Sequence, residues 1–333
     1  MPVPELWYEI APFTRGALLR TGLPSVRSQD GEGIMIDYTG MNITMASGKG
    51  GTGKTTVAVN FAWFLASAGQ RVQYLDCDVE EPNGHIFLKP SVTESSSSKV
   101  MVPVVDQEKC TSCGECGLKC QFHAIVNLPG DTLIFPGLCH SCGLCGAVCP
   151  TGAISEGDRE IGLIEKGSGT KEIDFIHGVL NVGEAMAVPL IKKVKNGRKD
   201  PYVHIVDAPP GTSCPVVATL NGSDAVIMVT EPTPFGLHDL KIAIDVARLL
   251  NIPTGVVINR DQGGYPPLTD YLASAGVPVL AVIPEDAEIA RHYSQGSIIL
   301  ETLPRYVDVY RSVADNLEKL LDAHGAHAGR IRS

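Results

Sequence analysis

The fold class this sequence predicts is α/β, a doubly wound and mostly parallel sheet interrupted by a small cysteine-rich insert. Three observations predict it. Apolar runs of strand length alternate with helical segments over most of the chain, from Ile43-Thr44-Met45-Ala46 to Val279–Ile283. A glycine-rich loop stands between the first of those runs and the first helix. Eight of the ten cysteines fall between Cys110 and Cys149, splitting the alternating pattern in two.

The loop after the first strand reads Gly48-Lys49-Gly50-Gly51-Thr52-Gly53-Lys54-Thr55-Thr56, and the helix it opens is expected over Thr56–Ala68. Gly48-x4-Gly53-Lys54-Thr55 is a phosphate loop of the Walker A type. Glycines let backbone N–H groups turn inward onto phosphate oxygens, and the helix N-terminus adds its positive end. Lys54 is placed to reach the β- and γ-phosphates, and the Thr55 hydroxyl to bind Mg²⁺.

The cysteines form two runs of identical spacing, Cys110, Cys113, Cys116, Cys120 and Cys139, Cys142, Cys145, Cys149-Pro150. This C-x2-C-x2-C-x3-C pattern reads as ligation of two [4Fe-4S] clusters, in which the fourth cysteine of each run serves the other cluster. The expected sets are therefore Cys110, Cys113, Cys116, Cys149 and Cys120, Cys139, Cys142, Cys145. A zinc ribbon would space isolated C-x2-C pairs by a dozen residues or more, and a disulfide scaffold of this density belongs to short secreted chains. The segment resembles a bacterial-type two-cluster ferredoxin. It departs from that pattern at Gln121, where proline is usual.

The phosphate loop carries a second lysine, Lys49, and here the sequence resembles the deviant Walker A ATPases of the MinD, ParA, Mrp and nitrogenase iron protein type. That resemblance implies several roles. Lys49 would cross a nucleotide-sandwich dimer to the other subunit's ATP, so that Lys49, Lys54 and Asp78 form the catalytic group. Tyr74–Asn83 resembles switch I, with Asp76 supporting Mg²⁺, Asp78 acting on the attacking water and Asn83 in the same region. Val203–Asp207 resembles a Walker B strand, placing Asp207 with Thr55 and Asp76 around Mg²⁺. Gly211, in Ala208–Ser213, would pivot in switch II. Asn259-Arg260 resembles the adenine-recognition element, and Pro284, Glu285 and Asp286 the loop that closes over the base. A guanine-specific acid is missing, because Gln262 stands three residues after Asn259. ATP is expected.

The alternation continues through strands near 175–182, 225–230, 254–259 and 279–283, with helices near 237–250, 268–275 and 305–324. On the last, Val309, Val313, Leu317 and Leu320 recur at helical spacing. Domain organisation follows: residues 1–40 as a loosely structured extension, 41–99 and 166–333 as the two parts of the ATPase, 100–165 as the insert. The serine run from Ser91 to Ser98 reads as a flexible connector by composition. Cys77 is expected as a small packed residue, Cys214 as an inert thiol and His140 as a solvated side chain.

The chain has 27 basic and 37 acidic residues, for a formal charge of -10, which argues against direct nucleic-acid binding. No run approaches a membrane span and no apolar signal core stands near the start, so a cytoplasmic protein is expected. The reading implies two [4Fe-4S] clusters, Mg²⁺ and ATP. It also implies a homodimer, or a heterodimer with a related ATPase, acting on a redox or metallocofactor-assembly partner. The expected function is ATP hydrolysis coupled to iron-sulfur electron transfer or cofactor assembly. The alternatives are a redox-sensing scaffold ATPase and an iron-sulfur cluster carrier.

Overall fold

One sheet organises the chain in the computed structural model, which describes residues 37–325. Its strands are β1 (Asn42–Ala46), β2 (Val72–Asp76), β3 (Ser91–Val105), β6 (Ile154–Ser168), β7 (Asp174–Leu180), β8 (Val203–Asp207), β9 (Ala225–Thr230), β10 (Thr254–Asp261) and β11 (Val279–Pro284). A separate hairpin pairs β4 (Ile125–Leu128) with β5 (Asp131–Ile134). The order across the large sheet is β11-β10-β9-β1-β8-β2-β7-β6-β3. From β11 to β7 neighbouring strands are parallel, and β6 and β3 extend the edge antiparallel.

The central strands are buried almost throughout and mostly apolar because both faces are covered, as parallel sheets require. Alternate residues of β9 divide between two cores. Ala225, Ile227 and Val229 face the helix Lys54–Ser67 and the C-terminal helix Val307–Ala323, whereas Val226 and Met228 face the helix Pro234–Leu249. On the C-terminal helix Val313, Leu317 and Leu320 are buried and Val309 is partly so, as their spacing predicts. Among the described residues no helix is long and apolar enough to cross a membrane.

The serine-rich run is not a flexible connector. Ser91–Ser98 forms the first half of β3, paired antiparallel with β6 from Ser91 opposite Ser168 to Val105 opposite Ile154, with register shifts at Val92/Glu94 and Ser98/Lys99. The boundary expected between residues 99 and 100 thus falls inside a strand, and the ribbon that carries the cysteines is continuous with the main sheet. Composition misleads here because the partner strand lies far along the chain, and pairing with it outweighs the weak strand preference of serine. Of the extension expected over 1–40, residues 1–36 lie outside the described residues. Tyr38 is fully buried in the main core and donates its hydroxyl to the Ala314 carbonyl at 2.7 Å.

Candidate functional site

The phosphate loop, Asp76 and Asp207 meet where β1, β2 and β8 reach their C-terminal ends, the edge at which open α/β sheets bind ligands. Gly51 and Gly53 hold positive φ of 81° and 85°, conformations that favour glycine. A Cβ on Gly53 would overlap Asn259 Nδ2, which donates to the Thr52 carbonyl at 2.8 Å. The loop is therefore tied to the end of β10. Lys54 Nζ pairs with Asp207 and lies 3.7 Å from Asp78 Oδ2. Asp207 also accepts from Thr55 Oγ1 at 2.7 Å and from the Tyr74 hydroxyl at 2.9 Å.

Three carboxylates thus surround one buried ammonium. Burial alone pushes Lys54 down, and Asp207, Asp78 and Asp76 together reverse it, so its pKa is raised. Burial, with the nearby Asp207, pushes Asp76 up to about 8. Burial also takes Asp78 to about 6, although Lys54 pulls against it. Asp76 accepts from the backbone N–H of Asp78 at 3.1 Å and of Gly84 at 2.9 Å, which clamps the turn containing Asn83. Gly84 leaves no room for a side chain, since a Cβ would stand 2.6 Å from the Tyr74 ring. Gly211, at φ 95°, donates its N–H to the Ser47 carbonyl at 2.9 Å and so rests directly against the phosphate loop.

The residues expected around the base are brought to one side, with a difference in detail. Asn259 ends near the loop as described, and Arg260 pairs with Glu231 at 2.6 Å. Lys49 pairs with the same carboxylate at 3.1 Å. Glu285 takes a hydrogen bond from Gln262. Asp286 is occupied inside the fold: it caps the helix Ala287–Ser294 through the Glu288 N–H at 2.7 Å and accepts from Tyr306 and Arg305 at 2.6 and 2.7 Å. Those bonds, Tyr306 first, hold its pKa down at about 2.

The cysteine runs sit at the far end of the β3–β6 ribbon as two similar halves. Ser112 and Ser141 share left-handed φ of 54° and 56°, and Gly114 and Gly143 open the short helices Glu115–Lys119 and Leu144–Ala147. The halves are exchanged across their main chains: Asp106 donates to Ala153 at 2.7 Å, and Phe135 to Ala124 at 2.8 Å. Cys120 and Cys149 each accept an N–H at sulfur, from Ala124 at 3.4 Å and Ala153 at 3.3 Å. Cys110, Cys113, Cys116 and Cys149 line a single cavity with Asn127 and Thr132. Asn127 Nδ2 lies 3.5 Å from Cys116 Sγ, and Thr132 Oγ1 lies 3.6 Å from Cys110 Sγ. Cys120 packs against the buried cluster of Val102, Ala124 and Cys139, and Cys145 lies within electrostatic reach of Cys139 and Cys142.

Among the described residues no three His, Cys, Asp or Glu side chains close on a single-ion site. Four cysteines line the one cavity, and thiolate is the donor that iron-sulfur clusters use. The residues fit such a group. His140 is exposed, as expected, and its ring also stacks on Phe122 at 3.8 Å between centroids and 11° between planes. Cys77 is fully buried, and burial pushes its thiol up, as expected of a packed residue. Cys214 is exposed at the start of the helix Cys214–Leu220.

Sequence reasoning passed over two groups. Glu231 has no motif of its own, and only folding joins it to Lys49 and Arg260. Lys195, on the helix Ala187–Asn196, is buried and donates to the carbonyls of Ala218, Thr219 and Asn221 at 2.9, 2.7 and 2.6 Å. It closes the C-terminal end of the helix after Gly211, and burial lowers its pKa to about 8. The helix was not among the expected elements, although the amphipathic spacing of Leu190, Ile191 and Val194 is a signal that could have found it.

Known proteins agree with the nucleotide-binding half. An uncharacterized protein of Methanocaldococcus jannaschii is 34% identical over 231 residues, 68% of this chain and 80% of that protein. The iron-sulfur cluster carrier protein of the same organism is 27% identical over 225 residues, 66% of this chain and 60% of its own length. The septum site-determining protein MinD of Pyrococcus horikoshii, solved with Mg-ADP, shares the fold with a TM-score of 0.52 at 19% identity, over 84% of this chain and 96% of that one. Residues 43–299 match the CobQ/CobB/MinD/ParA nucleotide binding domain. With that match spanning the phosphate loop and most of the sheet, the chain belongs to the CobQ/CobB/MinD/ParA family of P-loop ATPases.

Proposed function

We propose that this protein is an Mg²⁺-dependent ATPase whose nucleotide-driven dimer switch controls two [4Fe-4S] clusters, serving electron transfer or iron-sulfur assembly on a partner protein. The observation that carries the reading is the exchanged pair of cysteine runs, in which Cys149 joins Cys110, Cys113 and Cys116 around one cavity. Cys120, Cys139, Cys142 and Cys145 would hold the second cluster. Such clusters supply one-electron chemistry at potentials tuned by hydrogen bonds to sulfur. The N–H groups of Ala124 and Ala153, with Asn127 beside Cys116, are in position to do that tuning.

At the nucleotide end, Gly48–Thr56 would cradle the phosphates, and Lys54 would leave Asp207 for the β- and γ-oxygens. Thr55, Asp76 and Asp207 would hold Mg²⁺, and Asp78, 3.7 Å from Lys54, would orient the attacking water. Lys49 would act on the other subunit's ATP. Asn259 and Arg260 would bracket the adenine beside the segment Pro284–Asp286, while Asn83 and Gly211 would report the γ-phosphate to the switch segments. In domain terms, 41–99 and 166–333 would work as one ATPase, with 100–165 as the cluster-bearing arm. Leu118, Phe135, Leu138 and Leu144 are exposed on that arm, and exposed apolar side chains beside a site mark a surface for a protein partner.

A second reading, a cluster carrier, is favoured by the name of the relative described above. Anaerobic spectroscopy with iron analysis separates the two. Reduced protein mixed with ATP and a native lysate fraction should be reoxidised without losing iron; loss of iron would favour donation. The ligand sets are tested by Cys120→Ala, which should disturb the cluster held by Cys139, Cys142 and Cys145. Selective loss of the cluster at Cys110 would sink the crossed assignment.

A further inference from the structure

Glu231 stands at the end of β9 on a stiff turn. Its carbonyl accepts from the Thr233 N–H at 2.8 Å, and Thr233 in turn caps the helix Pro234–Leu249 through the Gly236 N–H at 3.0 Å. The first glycine of the phosphate loop is pressed against that same helix, where a Cβ on Gly48 would stand 2.8 Å from Asp239 Cβ. Loop and carboxylate are thus fixed relative to each other. Onto this carboxylate converge Arg260 Nη1 at 2.6 Å and Lys49 Nζ at 3.1 Å. The Glu231 side chain is 16% exposed, against 32% for Lys49 and 54% for Arg260, so the carboxylate is anchored and the cations reach in from solvent.

We propose that Glu231 is a positioning residue that holds Lys49 on its own subunit until a second copy of the chain presents ATP. This rests on the ATP-driven dimer proposed above. In the nucleotide-free subunit one carboxylate satisfies two cations. When another copy brings its phosphates to the loop, Lys49 exchanges a single carboxylate for a polyanion of higher charge. Arg260 remains on Glu231, so the carboxylate never becomes an unpaired charge. The arrangement keeps the loop's two lysines from acting together: Lys54 is committed to its own site, while Lys49 is withheld from it by a partner on β9. Lys49 is released only where phosphates approach from outside the subunit.

The exchange breaks a half-exposed ion pair, and such pairs contribute little, so removing Glu231 should tighten ATP-driven dimerisation by about 2- to 5-fold. Sedimentation of the full protein across a concentration series with ATP reads this for wild type, Glu231→Gln and Glu231→Ala. In a Lys49→Ala background the Glu231→Gln change should have no further effect. A second readout needs no dimer. Brief acetylation of the nucleotide-free protein, mapped by mass spectrometry, should label Lys49 about 2- to 5-fold faster in Glu231→Gln than in wild type. Equal labelling would overturn the pairing. Faster labelling with unchanged or weaker dimerisation would overturn the restraint. A wild type that stays monomeric with ATP would refute the dimer on which the release step depends, and labelling would still decide the pair.

Discussion

At the nucleotide end of the sheet, polar side chains gather on one carboxylate: Lys54, Thr55 and Tyr74 all converge on Asp207. In the cysteine lobe, no side chain plays that part: the sulfurs take separate contacts from backbone N–H groups and from Thr132, Asn127 and Thr151, on left-handed turns at Ser112, Gly114, Ser141 and Gly143. The first region stores charge in a buried, mutually dependent network. The second is a small, half-exposed frame with little apolar core, in which Val102, Ala124 and Cys139 form the buried cluster. A site of the first kind is sensitive to geometry and pH. A site of the second kind depends on the group it holds, because a lobe this small buries too little surface to be stable alone.

The largest expected effect tests whether the two regions fail independently. Gly53→Ala forces a left-handed conformation at φ 85° and drives a Cβ into Asn259 Nδ2. The backbone strain alone costs roughly 1–2 kcal/mol, and displacing Asn259 adds to it, so ATP affinity should fall at least about 10-fold. Cluster absorbance should be unchanged, since nothing in the lobe touches Gly53. Titration with a fluorescent ATP analogue beside visible spectra reads both. A loss of cluster colour in this variant would mean that the regions share one folding unit.

The next effect concerns pH. Burial raises Asp76 to about 8 and Asp78 to about 6, so the nucleotide-free site holds extra protons through the neutral range. Mg²⁺ needs ionised carboxylates, and binding must expel those protons. Affinity for Mg-ATP should therefore rise with pH between about 6 and 8, by up to about 10-fold per unit for each proton released. Calorimetry in buffers of different ionisation enthalpy counts the protons. Asp76→Asn should flatten the upper part of the slope, and a flat wild-type profile would show that these carboxylates are already ionised.

Much of this was legible in the sequence wherever chemistry is local. The phosphate loop, the strand Val203–Asp207 and both cysteine runs are contiguous patterns, and Cys110 and Cys149 line one cavity. What was not legible depends on distant partners. Ser91–Ser98 looks like a linker until β6 is laid beside it. Asp286 looks available for a nucleotide until Tyr306 and Arg305 are seen to occupy it. Glu231 carries no local signal at all.

The ribbon also changes what joins the two regions, and it sets the smallest effect. A flexible linker would leave the cysteine lobe indifferent to ATP. Instead β6 pairs with β7 and β7 with β2, which ends in Asp76. The helix Ala187–Asn196 makes a second bridge. Lys193 donates to the Lys99 carbonyl on β3 at 2.7 Å, while Lys195 holds the helix that follows Gly211. At the base of the ribbon Arg159 pairs with Glu184, just before this helix. Coupling between sites is reciprocal and typically about 1–3 kcal/mol, so cluster reduction should change ATP affinity by at least about 5-fold. Arg159→Gln breaks one largely buried pair without touching either site. It should reduce that ratio by at least about 2-fold, because the Glu184 carboxylate is left without its charged partner. ATP titrations under anaerobic conditions, with the clusters oxidised and then reduced, measure the ratio for both proteins. Equal affinities in the wild type would leave the ribbon a passive support, and an unchanged ratio in Arg159→Gln would move the coupling from the helix to the sheet.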